Sequence, residues 1–138
     1  MRIYFDSSAL AKRYIAEPFS DIVIHWCRQA SEILLSVISV PEMISSFNRL
    51  RREGKLVGKI YSELKREVAL DIVQATVINL DSEVLNMVIL CLERTEIRTL
   101  DAIHVASAKA GRCDLFVSAD LRQIKAAKQM GLKIEALG

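Results

Sequence analysis

Short runs of mostly β-branched or aromatic residues punctuate this chain at residues 2–5, 33–38, 76–79, 115–117 and 133–137, and stretches of helical periodicity separate them. The runs are apolar almost throughout and do not alternate cleanly, which predicts strands covered on both faces in a parallel sheet. Between them, Val40, Met43, Ile44, Phe47 and Leu50 keep the spacing of an apolar helix face. So do Val57, Ile60, Leu64 and Val68, and later Val84, Leu85, Val88 and Leu92. Two helices, over about residues 56–72 and 80–94, are expected on either side of the third strand. Leu100, Ile103, Ala106, Ser107 and Ala110 form a further face ending near Gly111, and Leu121, Ile124 and Ala127 one ending near Gly131. Both glycines are expected as C-caps. Strands alternating with helices predict an α/β fold, a three-layer α/β/α sandwich around a mostly parallel sheet of about five strands.

The length of 138 residues fits one compact unit spanning residues 1–138, with no internal repeat or linker. At 51% hydrophobic and 26% charged, the composition is that of a packed fold and excludes a disordered chain. Residues 1–5 are interrupted by Arg2 and followed by Asp6, so no secretory leader is expected. The most apolar stretch, residues 33–40, is broken by Ser36 and Ser39 and falls short of the roughly 20 residues of a membrane span. Cys27, Cys91 and Cys113 contain no C-x-x-C pair and suit neither a disulfide framework nor a thiolate zinc site. They read as small apolar residues in a reducing, cytoplasmic compartment.

Four acids change this picture. Asp6 ends the first predicted strand and Asp120 follows the fourth, which places both at the carboxyl edge where open α/β sheets bind ligands. Glu42 and Asp101 each lie in the first turn of a helix. Each has a purely structural alternative: Ser39-x-x-Glu42 is also a capping box, Asp101 suits a helix dipole and Asp120 an N-cap. Four carboxylates on one rim would repel one another unless cations enter. Mg²⁺ and Mn²⁺ prefer oxygen ligands, retain water and can activate it against a phosphodiester. That repulsion predicts that metal raises the melting temperature, and that Asp→Asn changes stabilise the metal-free protein while abolishing activity. With the four set aside, 13 acidic residues face 19 basic ones, a balance suited to a polyanionic substrate.

Asp6-Ser7-Ser8-Ala9-Leu10-Ala11-Lys12-Arg13-Tyr14 with Glu17, then Glu42, Leu100-Asp101-Ala102-Ile103-His104-Val105-Ala106 and Val117-Ser118-Ala119-Asp120 resemble PIN-domain proteins, most closely the VapC-type toxins. The resemblance covers nearly the whole chain in order and spacing. It implies a Rossmann-like sheet, Mg²⁺- or Mn²⁺-dependent endoribonuclease activity, a homodimer, and inhibition by a cognate antitoxin that inserts a peptide near the acidic pocket. By the same resemblance, Asp6, Asp101 and Asp120 would bind metal directly or through water, and Glu42 would orient metal-bound water. Ser118 would supply a supporting hydroxyl.

Ser8 is expected to support Asp6 by hydrogen bonding or to serve as a turn residue. Lys12, Arg13 and Arg49 are candidate contacts for RNA or a partner, and Arg51, Arg52, Lys55 and Lys59 extend the basic stretch beyond Arg49. His104 could reach the site or pack between helices. Two alternatives to the nuclease remain: a catalytically silent module acting through protein or RNA binding, and an aspartate-based phosphotransferase. The second usually needs another Asp two residues after the first, where this chain has Ser8.

Overall fold

In the computed structural model, which describes residues 1–138, every strand but the last leads into one or two helices. Strand β1 (Arg2–Phe5) precedes α1 (Ser7–Ala11) and α2 (Ser20–Gln29), and β2 (Glu32–Ser36) precedes α3 (Ser39–Arg52) and α4 (Gly58–Gln74). Strand β3 (Thr76–Ile78) precedes α5 (Ser82–Arg94) and α6 (Thr99–Ala110), and β4 (Leu115–Ser118) precedes α7 (Leu121–Gln129) and β5 (Ile134–Ala136). The strands form one sheet in the order β3-β2-β1-β4-β5, with every pair parallel.

Side-chain alternation divides the core between the two faces of this sheet. Ile3 and Phe5 of β1, Leu35 of β2, and Leu115 and Val117 of β4 join Leu10, Val23, Met43, Phe47, Leu64 and Val68 from α1 to α4. Tyr4, Leu34 and Phe116 point the other way and join Val84, Val88 and Cys91 of α5, Ala102, Ile103, Val105 and Ala106 of α6, and Ala126 and Ala127 of α7. Because both faces are covered, the strands need apolar residues at successive positions, which is why their sequences lack polar alternation. The three-layer sandwich is as expected.

Differences from the sequence reading are local. The second strand ends at Ser36 rather than residue 38, and α1 and α2 were not anticipated. Gly131 has φ +84, as a C-cap glycine should, but Gly111 caps α6 with φ −75. Gly111 is required for space instead: a Cβ there would lie 2.9 Å from Leu34 Cδ2 and 3.0 Å from both Ile78 Cδ1 and the Ser107 carbonyl. The capping box is also absent. Ser39 Oγ accepts from the Ser36 N–H at 3.1 Å, and the Glu42 side chain turns elsewhere. No helix is long and apolar enough to cross a membrane.

Candidate active site

The strand order reverses at β1, whose neighbours β2 and β4 carry the chain to opposite sides. A crevice opens there beyond the carboxyl ends of the strands. Asp6 immediately follows β1, and its N–H extends the ladder to the Val117 carbonyl at 3.1 Å. Its side chain is fully buried and caps α1 by accepting from the Ala9 N–H at 2.8 Å. The Ser8 hydroxyl reaches both carboxylate oxygens at 2.8 Å, and the Ser118 hydroxyl donates to Oδ2 at 2.7 Å. Burial holds the Asp6 carboxyl above its ordinary pKa of 3.8, opposed by His104 and by the hydrogen bonds from Ser118, Ala9 and Ser8. Both serine hydroxyls thus reach the Asp6 carboxylate.

Glu42 projects from the first turn of α3. Its Oε1 accepts from the Ser7 hydroxyl at 2.6 Å and lies 2.6 Å from His104 Nε2. Burial acts to raise this carboxyl, but His104 and Ser7 outweigh it and leave Glu42 below its ordinary 4.5. His104 is itself buried, with Nδ1 2.7 Å from the Tyr4 hydroxyl. Burial, with Asp6 and Glu42 nearby, drives that phenol well above its ordinary pKa of 10, so it remains protonated.

Asp101 in α6 and Asp120 at the N-cap of α7 form the other wall, and both are half-buried. Asp120 Oδ1 accepts from the N–H groups of Arg122 at 2.9 Å and Gln123 at 3.3 Å, so the capping role is present. Asp101 Oδ1 accepts from Gln123 Nε2 at 3.0 Å. Gln123 therefore braces both acids, while its own Oε1 is buried without a partner.

All four acids line one open cleft of about 600 Å³. Ser45, Ser46 and Arg49 line it beside Glu42, and Lys12, Leu100, His104 and Gln123 are also among its lining residues. Lys12 pairs with Glu17 at 3.2 Å on the rim. Arg13 does not belong here: it turns to Asp71 at 3.7 Å and lines a separate cavity of about 130 Å³ with Tyr14 and Ile72. The three cysteines are free, and burial raises each thiol, Cys113 to about 11, which disfavours thiolate chemistry.

The four acids share a cleft, but no three His, Cys, Asp or Glu side chains already converge as a ligand set. The reason is visible in their partners, since Glu42 is drawn to His104 and Ser7, and Asp101 to Gln123. The donors nonetheless fit a hard divalent cation. They are oxygens, none of the three aspartates pairs with a Lys or Arg, and the Gln123 amide oxygen beside them is unpartnered. Mg²⁺ and Mn²⁺ keep several waters and need few direct protein ligands.

Sequence reasoning passed over Ser7 and Gln123 and left His104 undecided between site and core. The spacing of three residues between Asp101 and His104 set both on one helix face, but what lay opposite that face was a tertiary matter.

A family model for the PIN domain matches residues 3–129. Ribonuclease VapC46 of Mycobacterium tuberculosis is 30% identical over 136 residues, spanning 97% of this chain and 96% of the relative. Among solved structures, the DNA-bound VapBC of Salmonella typhimurium superposes with a TM-score of 0.73 at 15% identity, covering 100% of this chain and 99% of that one. VapC20 of Mycobacterium tuberculosis, a toxin that cleaves the sarcin-ricin loop, gives a TM-score of 0.68 at 15% identity over 90% of this chain and 94% of the other.

Proposed function

The chain belongs to the PIN-domain family, and from that premise we propose that it is a Mg²⁺- or Mn²⁺-dependent endoribonuclease and the toxin of a VapBC-type toxin–antitoxin pair. The observation that carries the reading is the set of four acids around one cleft, three of them with no basic partner.

Asp6, Asp101 and Asp120 would hold the cation, directly or through water. When bound, it supplies acidified water and positive charge beside a phosphate. Glu42 orients the attacking water, being held ionised by its hydrogen bonds from His104 and Ser7. The Ser8 and Ser118 hydroxyls fix the Asp6 carboxylate, and Gln123 fixes that of Asp101. Arg49 and Lys12 face the cleft with the charge an RNA backbone requires.

Three further properties belong to the same reading: a cytoplasmic homodimer, a single nuclease unit over residues 1–138, and an antitoxin that blocks the cleft. The structural relatives include a toxin–antitoxin complex from Klebsiella pneumoniae, at 10% identity and a TM-score of 0.71. A phosphotransferase using Asp6 as nucleophile is disfavoured, because Ser8 stands where that chemistry usually needs a second aspartate.

The test incubates purified protein, freed of any antitoxin, with structured and single-stranded RNAs in Mg²⁺ or Mn²⁺, beside EDTA and Asp101→Asn controls. Cuts that depend on metal and disappear in both controls are expected. Folded protein that cuts no RNA in either metal would favour the silent binding module.

A further inference from the structure

The buried Tyr4–His104 pair lies behind Glu42 and outside the four acids. Glu42 offers its carboxylate to His104 Nε2 at 2.6 Å, so Nε2 must carry the hydrogen of that bond. On the far side of the ring, the protonated Tyr4 hydroxyl lies 2.7 Å from Nδ1 and, in the neutral ring, donates to it. A phenol in that place selects the tautomer whose Nε2–H faces Glu42. The Ser7 hydroxyl converges on the same carboxylate oxygen at 2.6 Å. Both donors thus occupy Oε1, and Oε2 is the oxygen available to the cleft.

We infer that His104, backed by Tyr4, is a positioning residue for Glu42: it clamps one carboxylate oxygen so that the other is presented to water in the cleft. This role rests on the ribonuclease reading above. The chain's local geometry serves it directly. Tyr4 lies two residues before Asp6 and so points to the same face of the sheet, while His104 lies almost one turn after Asp101 on α6. The clamp therefore ties Glu42 of α3 to β1, which leads into Asp6, and to α6, which carries Asp101. His104 is buried and touches Glu42 through one nitrogen, so it acts through the carboxylate and not on the RNA.

The experiment compares His104→Leu, His104→Gln and Tyr4→Phe with wild type, measuring kcat and KM for RNA cleavage alongside melting temperatures. In His104→Leu, kcat should fall roughly 10–100-fold, the range seen when the partner that orients a metal-site ligand is removed. KM should hold. His104→Gln, whose amide can again donate to Glu42, should recover part of that loss. Equal losses in folded Leu and Gln variants, or a loss confined to KM, would overturn the role. If His104→Leu does not fold, Tyr4→Phe decides: a lower kcat at constant KM supports the clamp and an unchanged kcat refutes it.

A second readout needs no cleavage. The chain has two histidines, so long-range proton–nitrogen NMR in EDTA can assign His104 by its disappearance in His104→Gln. A hydrogen on Nε2 is expected, and its absence would sink the clamp even if RNA is cut. Wild type that shows this hydrogen and cuts nothing would instead refute the ribonuclease reading and leave the hydrogen-bond geometry intact.

Discussion

On one wall of the cleft Asp6 and Glu42 are gripped by hydroxyls, a backbone N–H and a histidine, all within 2.9 Å. On the other, Asp101 and Asp120 are half-buried; Asp101 accepts from the Gln123 side chain, and Asp120 caps α7 by accepting from the N–H groups of Arg122 and Gln123. The first wall is set by folding. On the second, neither aspartate pairs with a Lys or Arg, and the amide oxygen of Gln123 is buried without a partner. The same residue type thus does different work on the two walls of one cleft: Asp6 also caps α1 from a fully buried position, while Asp101 is held by one side-chain hydrogen bond.

The largest effect that could break this contrast is on activity. Asp6→Ala and Asp101→Asn should each lower metal-dependent RNA cleavage by more than about 100-fold, exceeding the loss typical of an indirect partner. Cleavage assays in which Asp101→Asn retains wild-type rates would remove the second wall from the site.

Metal should act on that wall. Divalent cation at about 100 times its dissociation constant should stabilise wild type by about 2.7 kcal/mol, and Asp101→Asn or Asp120→Asn should diminish the gain. Thermal melts with and without EDTA measure it, and equal gains in all three proteins would count against aspartate binding of the cation.

In EDTA the two walls should respond oppositely to truncation. Asp6→Ala removes an N-cap and leaves the Ser8 and Ser118 hydroxyls to find other partners, costing about 1–3 kcal/mol. Asp101→Ala should fall within about 0.5 kcal/mol of wild type or stabilise it. Denaturant unfolding gives both values. The expectation that neutralising any of the acids helps the metal-free fold therefore applies to the rim and not to deletion at Asp6, whose side chain is also structural.

The pH dependence sharpens the comparison within the first wall. Glu42 titrates below its ordinary 4.5 in the folded state, so its contribution is present above 4.5 and is lost as pH falls through the lowered value. Asp6 titrates above its ordinary 3.8, so its ionised form costs stability, and acidification through the raised value relieves that cost. In EDTA, the advantage of wild type over Glu42→Gln should shrink as pH drops below 4.5. A constant gap from pH 7 downward would contradict the sign. The smallest effect separates two arginines: Arg49→Ala should raise KM and reduce the salt slope of RNA binding by roughly one, while Arg13→Ala, paired with Asp71 away from the cleft, should leave KM unchanged.

Much of this was legible in the chain. Apolar strand runs gave the buried parallel sheet, and strand ends placed Asp6 and Asp120 on one edge. Ser8, in the motif around Asp6, and Ser118, in the motif ending at Asp120, both hydrogen-bond the Asp6 carboxylate. What the chain concealed depends on contacts between distant segments. Arg13 sits beside Lys12 in sequence yet faces Asp71, and the Ser39-x-x-Glu42 pattern fits a capping box until His104 and Ser7 offer Glu42 stronger partners. Gly111 has the position of a C-cap but is small because Leu34 and Ile78 press against it.

The double duty of Asp6 bears on how decay of such a site would look in other chains. A descendant that abandoned cleavage would still be under pressure to keep this aspartate, because losing it uncaps α1 and loosens the junction of β1 and β4. Asp101 caps no helix and holds only the Gln123 amide, so it is under less structural constraint. Survival of the first acid is therefore a poor witness of living chemistry, and the fate of Asp101 is the more telling one.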